Sequence, residues 1–278
     1  MKLLRSRKDA SGESTIRALL RQIGLPTLPT VVSTAIGQLA EAEVDMGGVS
    51  ETVTQDAGLS LQLLKTVNSA AFAPRTPVST VHHAVMMLGR NELESLLFSF
   101  GVSSALPKES VPGFDVTDFW TTAGFRAGVA AGIADRVDPA AKSRNYTSAL
   151  LQDMALPLLA TSLDGYQDVV VKRPATIRLH DAERHTFGWD HGEVGAWMGD
   201  EWGFPGELTA GISTHHHDEP GDATILRAVA EIRGTDTDLA MESVPAAIEQ
   251  WCSVPIDEAN GIVEEGLDRA KTIASLLL

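Results

Sequence analysis

Six of the chain's eight histidines and three of its five tryptophans fall between His180 and Asp218, in HDAERHTFGWDHGEVGAWMGDEWGFPGELTAGISTHHHD. Imidazoles at that density can ligate a divalent metal or clamp a buried carboxylate. Asp190 followed by Glu193 has the spacing of a capping box, which predicts a helix with His191 as its first residue and Val194, Met198 and Trp202 as an apolar stripe. Gly203-Phe204-Pro205 ends that helix. A second run from Glu207 to His217 carries Leu208, Ile212 and then His215-His216-His217, and Pro220 stops it. Imidazoles therefore stand at the start of one helix and the end of the next. They share a pole only if the two helices are antiparallel and matched in length, so a site there needs a third element from upstream.

The rest of the chain must supply that element, and its composition bounds what the whole can be. With 278 residues the chain is long enough to bury a substantial core in one large or two ordinary domains. Lys and Arg total 22 against 37 Asp and Glu, a formal charge of -15. Such a surface repels phosphate backbones and anionic lipid, which disfavours nucleic acid and membrane as partners. The amino terminus is basic (Lys2, Arg5, Arg7, Lys8) but has only Leu3 and Leu4 as apolar residues, so it has no signal-peptide core. No run reaches the roughly 20 apolar residues of a membrane helix. A cytoplasmic protein is expected. The single Cys252 excludes an intrachain disulfide and a thiolate zinc cluster, so any metal would be held by histidine and carboxylate.

Helical periodicity recurs along the whole chain. Residues 1–13 read as a flexible leader, followed by a short helix around Ser14 to Ile23. After the stiff turn Gly24 to Pro29, Thr30 can cap a helix with Val31, Ala35 and Leu39 on one face. Val49 and Val53, then Leu59, Leu63 and Val67, then Val81, Val85 and Leu88, then Leu93, Leu97 and Phe100 repeat the pattern, giving five short amphipathic helices. Pro107 to Gly113 reads as a linker. Beyond it Phe119-Trp120 opens a longer helix with Phe125, Val129, Ile133 and Val137 on one side. Its many Ala and Gly residues suit close packing, so it should be central. Gln152-Asp153 interrupts an apolar stretch from Thr147 to Leu163, and a buried acid there needs a partner. Asp236 to Glu242 reads as a solvated loop, and the final helix, ending Leu276-Leu277-Leu278, should be docked. The expected fold is all-α, a two-part helical bundle: 14–108 as an amino-terminal subdomain, and 114–278 as a second helical subdomain with a carboxyl-terminal extension.

Two sets of fragments resemble the HDOD domain. Leu25 to Pro29, Gln55-Asp56-Ala57-Gly58-Leu59, Val67-Asn68-Ser69-Ala70 and Pro77, Val78, Ala84, Leu88-Gly89 are similar to its amino-terminal half. Phe119-Trp120, Ala149 to Met154, Glu183, His191 to Ala196, Trp202, Pro205 and His215-His216 are similar to its HD-like half. The resemblance runs from about Ile23 to about Ile232. It implies an all-helical bacterial signalling protein related to the metal-dependent HD phosphohydrolases. Those enzymes hold metal with an early histidine, a His-Asp pair and a later Asp. By position Thr122 stands in place of the first histidine, Gln152-Asp153 in place of the pair, and Ala230-Glu231 near the last Asp. The vestigial positions are then Thr122, Gln152, Asp153, His191, His215, His216 and Glu231. A neutral amide and a hydroxyl replace imidazoles poorly at a transition metal.

The resemblance therefore implies a degenerate site with no catalytic residue and no cofactor expected. The alternative is a divalent transition metal, held by Asp153, His191, His215 or His216. Asp153 is either a relic ligand or a structural carboxylate, with His191 as a possible donor to it. Trp189, Trp197 and Trp202 either line a pocket or pack against the amino-terminal unit. The expected function is a non-catalytic signal-transduction module with a signalling protein as partner. A nucleotide or cyclic-dinucleotide phosphohydrolase and a nucleotide sensor are the alternatives. The small-residue helix and the apolar carboxyl terminus could each support a homodimer.

Overall fold

The computed structural model describes residues 7–69, 74–217 and 224–278, and among these it is helical throughout, with no strand. The first helix, α1 (Arg7–Ile23), begins before Ser14, so the stretch read as a leader joins it from residue 7; residues 1–6 lie outside the described residues. In α2 (Thr30–Leu39) Thr30 is the first helical residue and not the cap. Pro29, with ψ of 135°, takes the boundary position and offers no side-chain acceptor.

Aspartates set the next two helices: Asp45 caps α3 (Met46–Thr54) through Gly47 N, and Asp56 caps α4 (Ala57–Val67) through Leu59 N. Asn68 then ties the end of α4 to the following segment, donating to the Val78 carbonyl and accepting from Val78 N, both at 2.8 Å. The two stripes ending in Leu88 and beginning at Leu93 are halves of one element, α5 (Val81–Ala105). It breaks at Gly89, whose φ of 72° and ψ of −178° only glycine adopts at low cost.

After a short stretch held by a bridge between Val111 and Phe114, Asp115 caps α6 (Val116–Val137). This helix is the centre of the molecule, as its small residues predict. One face (Phe119, Trp120, Ala123, Ala127) joins a core running from α1 to the end of the chain. The other (Phe125, Val129, Ala130, Ile133) joins a second core under the carboxyl-terminal helices. Val137, at the helix end, is exposed. Glycine lets α15 (Ile256–Leu277) lie against α6: a Cβ on Gly128 would come 3.1 Å from Gly266 Cα, and one on Gly266 would come 2.5 Å from Val129 Cγ2. The small-residue stripe is thus covered within the chain. Leu277 is buried and Leu278 half exposed, so the last turn docks as expected while its final residue does not.

Between these, α7 (Lys142–Leu151) and α8 (Leu156–Ser162) flank a tight turn, and α9 (Tyr166–Lys172), α10 (Leu179–Phe187), α11 (His191–Glu201) and α12 (Gly206–Thr214) follow. After α13 (Thr224–Val229), the acidic segment expected to be a loop is instead the start of α14 (Thr237–Cys252). Asp236 caps it and Asp238 lies in its first turn, where acids suit the helix dipole. Pro220 lies outside the described residues. No helix among the described residues is long and apolar enough to cross a membrane.

Candidate metal centre

The capping box at Asp190 is formed as its spacing predicts: Asp190 accepts from Glu193 N at 2.9 Å and Glu193 accepts from Asp190 N at 2.9 Å. This fixes His191 at the first turn of α11. Its backbone N–H donates to Glu183 Oε2 at 3.0 Å, and its Nδ1 lies 2.6 Å from the same oxygen. Glu183, fully buried on α10, also accepts from the Tyr166 hydroxyl. Facing a carboxylate, His191 Nδ1 carries a proton, and Nε2 points the other way. At the end of α12, His215 Nδ1 lies 2.6 Å from the Ile212 carbonyl, so it too is the protonated nitrogen and Nε2 is left with its lone pair.

The third element is the turn between α7 and α8. Asp153 Oδ1 lies 3.3 Å from His191 Nε2 and 3.2 Å from His215 Nε2, and His216 Nε2 lies 2.9 Å from His191 Nε2. One donor atom from each of Asp153, His191, His215 and His216 falls within 4.8 Å of all the others, and three of these residues are buried. With Nε2 of His215 unprotonated, the 3.2 Å approach of Asp153 Oδ1 brings two acceptors together and not a donor to an acceptor. Lone pairs and a carboxylate oxygen converging in a buried space repel one another unless a cation sits among them. A proton or a metal ion can fill that role. Nitrogens at about 2.0–2.1 Å from a shared tetrahedral ion would lie roughly 3.3 Å apart, and the His191 and His216 Nε2 atoms are 2.9 Å apart. The Glu183 and Ile212 acceptors behind the two imidazoles are the outer-shell partners that hold metal-ligating histidines. The residues present fit a single divalent ion.

The other oxygen of Asp153 is occupied. Arg126, buried on α6, pairs with Oδ2 and donates from Nε to the Ile232 carbonyl at 2.9 Å. Burial pushes the Asp153 carboxyl up, but the Arg126 guanidinium and the two imidazoles together outweigh it and hold the group well below the usual carboxylate range. For His191, burial lowers the pKa while Glu183 and Asp153 together raise it well above the ordinary imidazole value. His216 goes the opposite way, pushed down by burial and by the neighbouring imidazoles of His215 and His191. His180 stacks on His216 with ring centroids 4.0 Å apart, and burial lowers it to about 4. Burial and the charge of Glu183 push the Tyr166 hydroxyl well up.

The remaining positions stand apart. Thr122 lies on α6 one turn before Arg126 and is buried. Gln152 is fully buried, and its amide makes no hydrogen bond. Glu231 is outside the cluster, held by Arg178 at 2.9 Å and by Arg233. His217 is exposed, as are His82 and His83. The tryptophans pack: Trp202 Nε1 donates to the Pro26 carbonyl at 2.9 Å, Arg17 lies 4.6 Å over Trp197, and Trp189 stacks on Phe187. Sequence reasoning missed Arg126 and Tyr166. Arg126 carried a signal, since a lone cation in a stretch of Ala and Gly must find a buried partner.

Known proteins share this arrangement of helices. A candidate phosphohydrolase of Shewanella amazonensis SB2B is 22% identical, with a TM-score of 0.76 over 94% of this chain and 98% of that one. An HDOD domain protein of unknown function from Geobacter sulfurreducens gives 21% and 0.70 over 96% and 93%. A candidate signal transduction protein of Marinobacter aquaeolei VT8 gives 19% and 0.72 over 97% and 65%. At these identities the likeness is one of fold. An uncharacterized protein of Treponema pallidum is 24% identical over 238 residues, 81% of this chain but 45% of that relative, so this chain spans less than half its length. The model of the HDOD domain matches residues 25–218, and the chain belongs to the HDOD domain family.

Proposed function

We propose that the chain is a non-hydrolytic regulatory module that acts through a signalling protein partner, and that its Asp153–His191–His215–His216 cluster holds one divalent transition metal as an internal tie. The observation that carries this reading is the saturation of the site by protein. Four donor atoms from four side chains converge, which is the ligand count of a closed structural site; a catalytic zinc keeps three protein ligands and an open position. Asp153 has no oxygen left for a second ion, because Arg126 holds Oδ2. A metal in the cluster supplies a cross-link between the turn after α7, the start of α11 and the end of α12. Glu183 and the Ile212 carbonyl orient the imidazoles, and Arg126 fixes the carboxylate. Without metal, the proton favoured on His191 balances the same charges.

The test is turnover. Protein loaded with Mn²⁺ or Fe²⁺ and offered a panel of nucleotides and cyclic dinucleotides is expected to release no more product than the Asp153→Ala variant. Hydrolysis that the variant abolishes would overturn the non-hydrolytic reading and establish the enzyme.

A further inference from the structure

A cleft of about 270 Å³ opens between the second half of α5, the start of α7 and the start of α12, and none of Asp153, His191, His215 and His216 lines it. Some of its polar groups are answered within the protein: Arg144 pairs with Glu207, and the Ser143 hydroxyl donates to Glu92. Two are not. Thr147 lines the cleft, is 2% exposed, and its hydroxyl makes no hydrogen bond. Glu94 is half-buried beside it and, among the described residues, has neither a hydrogen bond nor an ion pair. Burial pushes its carboxyl up, and Arg90, one turn earlier on α5 and outside the lining, offsets only part of that. A hydroxyl and a carboxylate withdrawn from water without partners cost free energy that a ligand bearing donors would recover. The wall they share is apolar, since Phe98, Ala141 and Leu208 are all buried there.

The chemistry that fits is a compact, positively charged group with several donors. An ammonium has three N–H donors and no acceptor, so one can serve Glu94 and Thr147 together, whereas a ligand hydroxyl has a single hydrogen to give. A hard metal ion fits poorly: calcium takes roughly 6–8 oxygen ligands, and the cleft offers one unpaired carboxylate. The volume falls just below the range of about 300–1,000 Å³ that holds drug-sized ligands, which suits a short chain.

We infer that this cleft binds a small alkylammonium ion, with its ammonium group on Glu94 and Thr147 and its alkyl part against Phe98, Ala141 and Leu208. The cleft does not depend on metal in the histidine cluster.

The experiment is calorimetric titration of the full chain in chelator, which keeps an amine from binding through a metal in the histidine cluster, so that failure here leaves the metal reading untouched. The probes are putrescine, n-butylamine and 1-butanol, the last an uncharged match to butylamine. Either amine is expected to bind at least about tenfold tighter than 1-butanol. Glu94→Gln, which removes the charge and keeps the shape, is expected to weaken amine binding about tenfold or more, and Thr147→Val about threefold or more. Neither substitution is expected to lower the melting temperature of the unliganded chain, because neither group has a hydrogen bond to lose. No binding of either amine, equal binding of 1-butanol, unchanged affinity in either variant, or a loss of binding seen only together with a lowered melting temperature overturns the proposal.

Discussion

Replacing Arg126 by Leu tests whether the guanidinium is the counter-charge that lets Asp153 stay ionised in the core. Both side chains are 9% exposed, so the substitution leaves a buried carboxylate without its cation and the Ile232 carbonyl without its donor. Breaking a buried pair by removing one partner costs about 3–5 kcal/mol. The imidazoles of His191 and His215 still face the other carboxylate oxygen, which places the expected loss at the lower end, about 3 kcal/mol. For a chain of this size that corresponds to a fall in Tm of roughly 6–12 °C. Urea unfolding in chelator should show the midpoint falling while the slope stays constant. The double variant Arg126→Leu/Asp153→Leu, which removes the charge together with its partner, should recover at least ~2 kcal/mol relative to additive losses. A single-variant loss below about 1 kcal/mol, or strict additivity, would refute the reasoning.

Three further outcomes follow from the same contacts. His191, with its folded pKa raised, contributes stability that is fully present below the unfolded value of 6.5 and is lost as pH rises through the folded pKa. Chelator-treated protein should therefore lose stability into the alkaline range, and His191→Gln should flatten that slope in a series of melts. Gln152→Leu, which replaces a buried amide that makes no hydrogen bond, should raise stability by ~1 kcal/mol in urea and leave metal content unchanged; a loss of metal would make Gln152 part of the centre. Gly266→Ala would press a methyl group into Val129 and should cost about 1–3 kcal/mol, read as a lower urea midpoint.

Most of the scaffold was legible because caps and stripes are local. Asp190 and Glu193 fixed the start of α11 and thereby the place of His191, and the Ala and Gly residues of α6 marked it as the helix that others approach closely. The convergence of His191 with His215 and His216 depended on a third element, which Asp153 provides. Two contacts were not local, and two local features were hidden or ambiguous. The partner of Asp153 lies 27 residues upstream on another helix, and Tyr166 reaches Glu183 from a helix with no pattern of its own. The break at Gly89 hides in the sequence because both halves of α5 keep helical spacing. Asp236 to Glu242 was misjudged because acids, solvated in a loop, are equally favoured in the first turn of a helix.

The central claim is tested most directly by metal stoichiometry, measured by mass spectrometry on untagged protein beside its Asp153→Ala variant. About one equivalent of a transition metal in the wild type and none in the variant is the predicted result. A wild type without metal, or one holding two equivalents, would contradict the account of Asp153, His191, His215 and His216 as a closed single-ion centre.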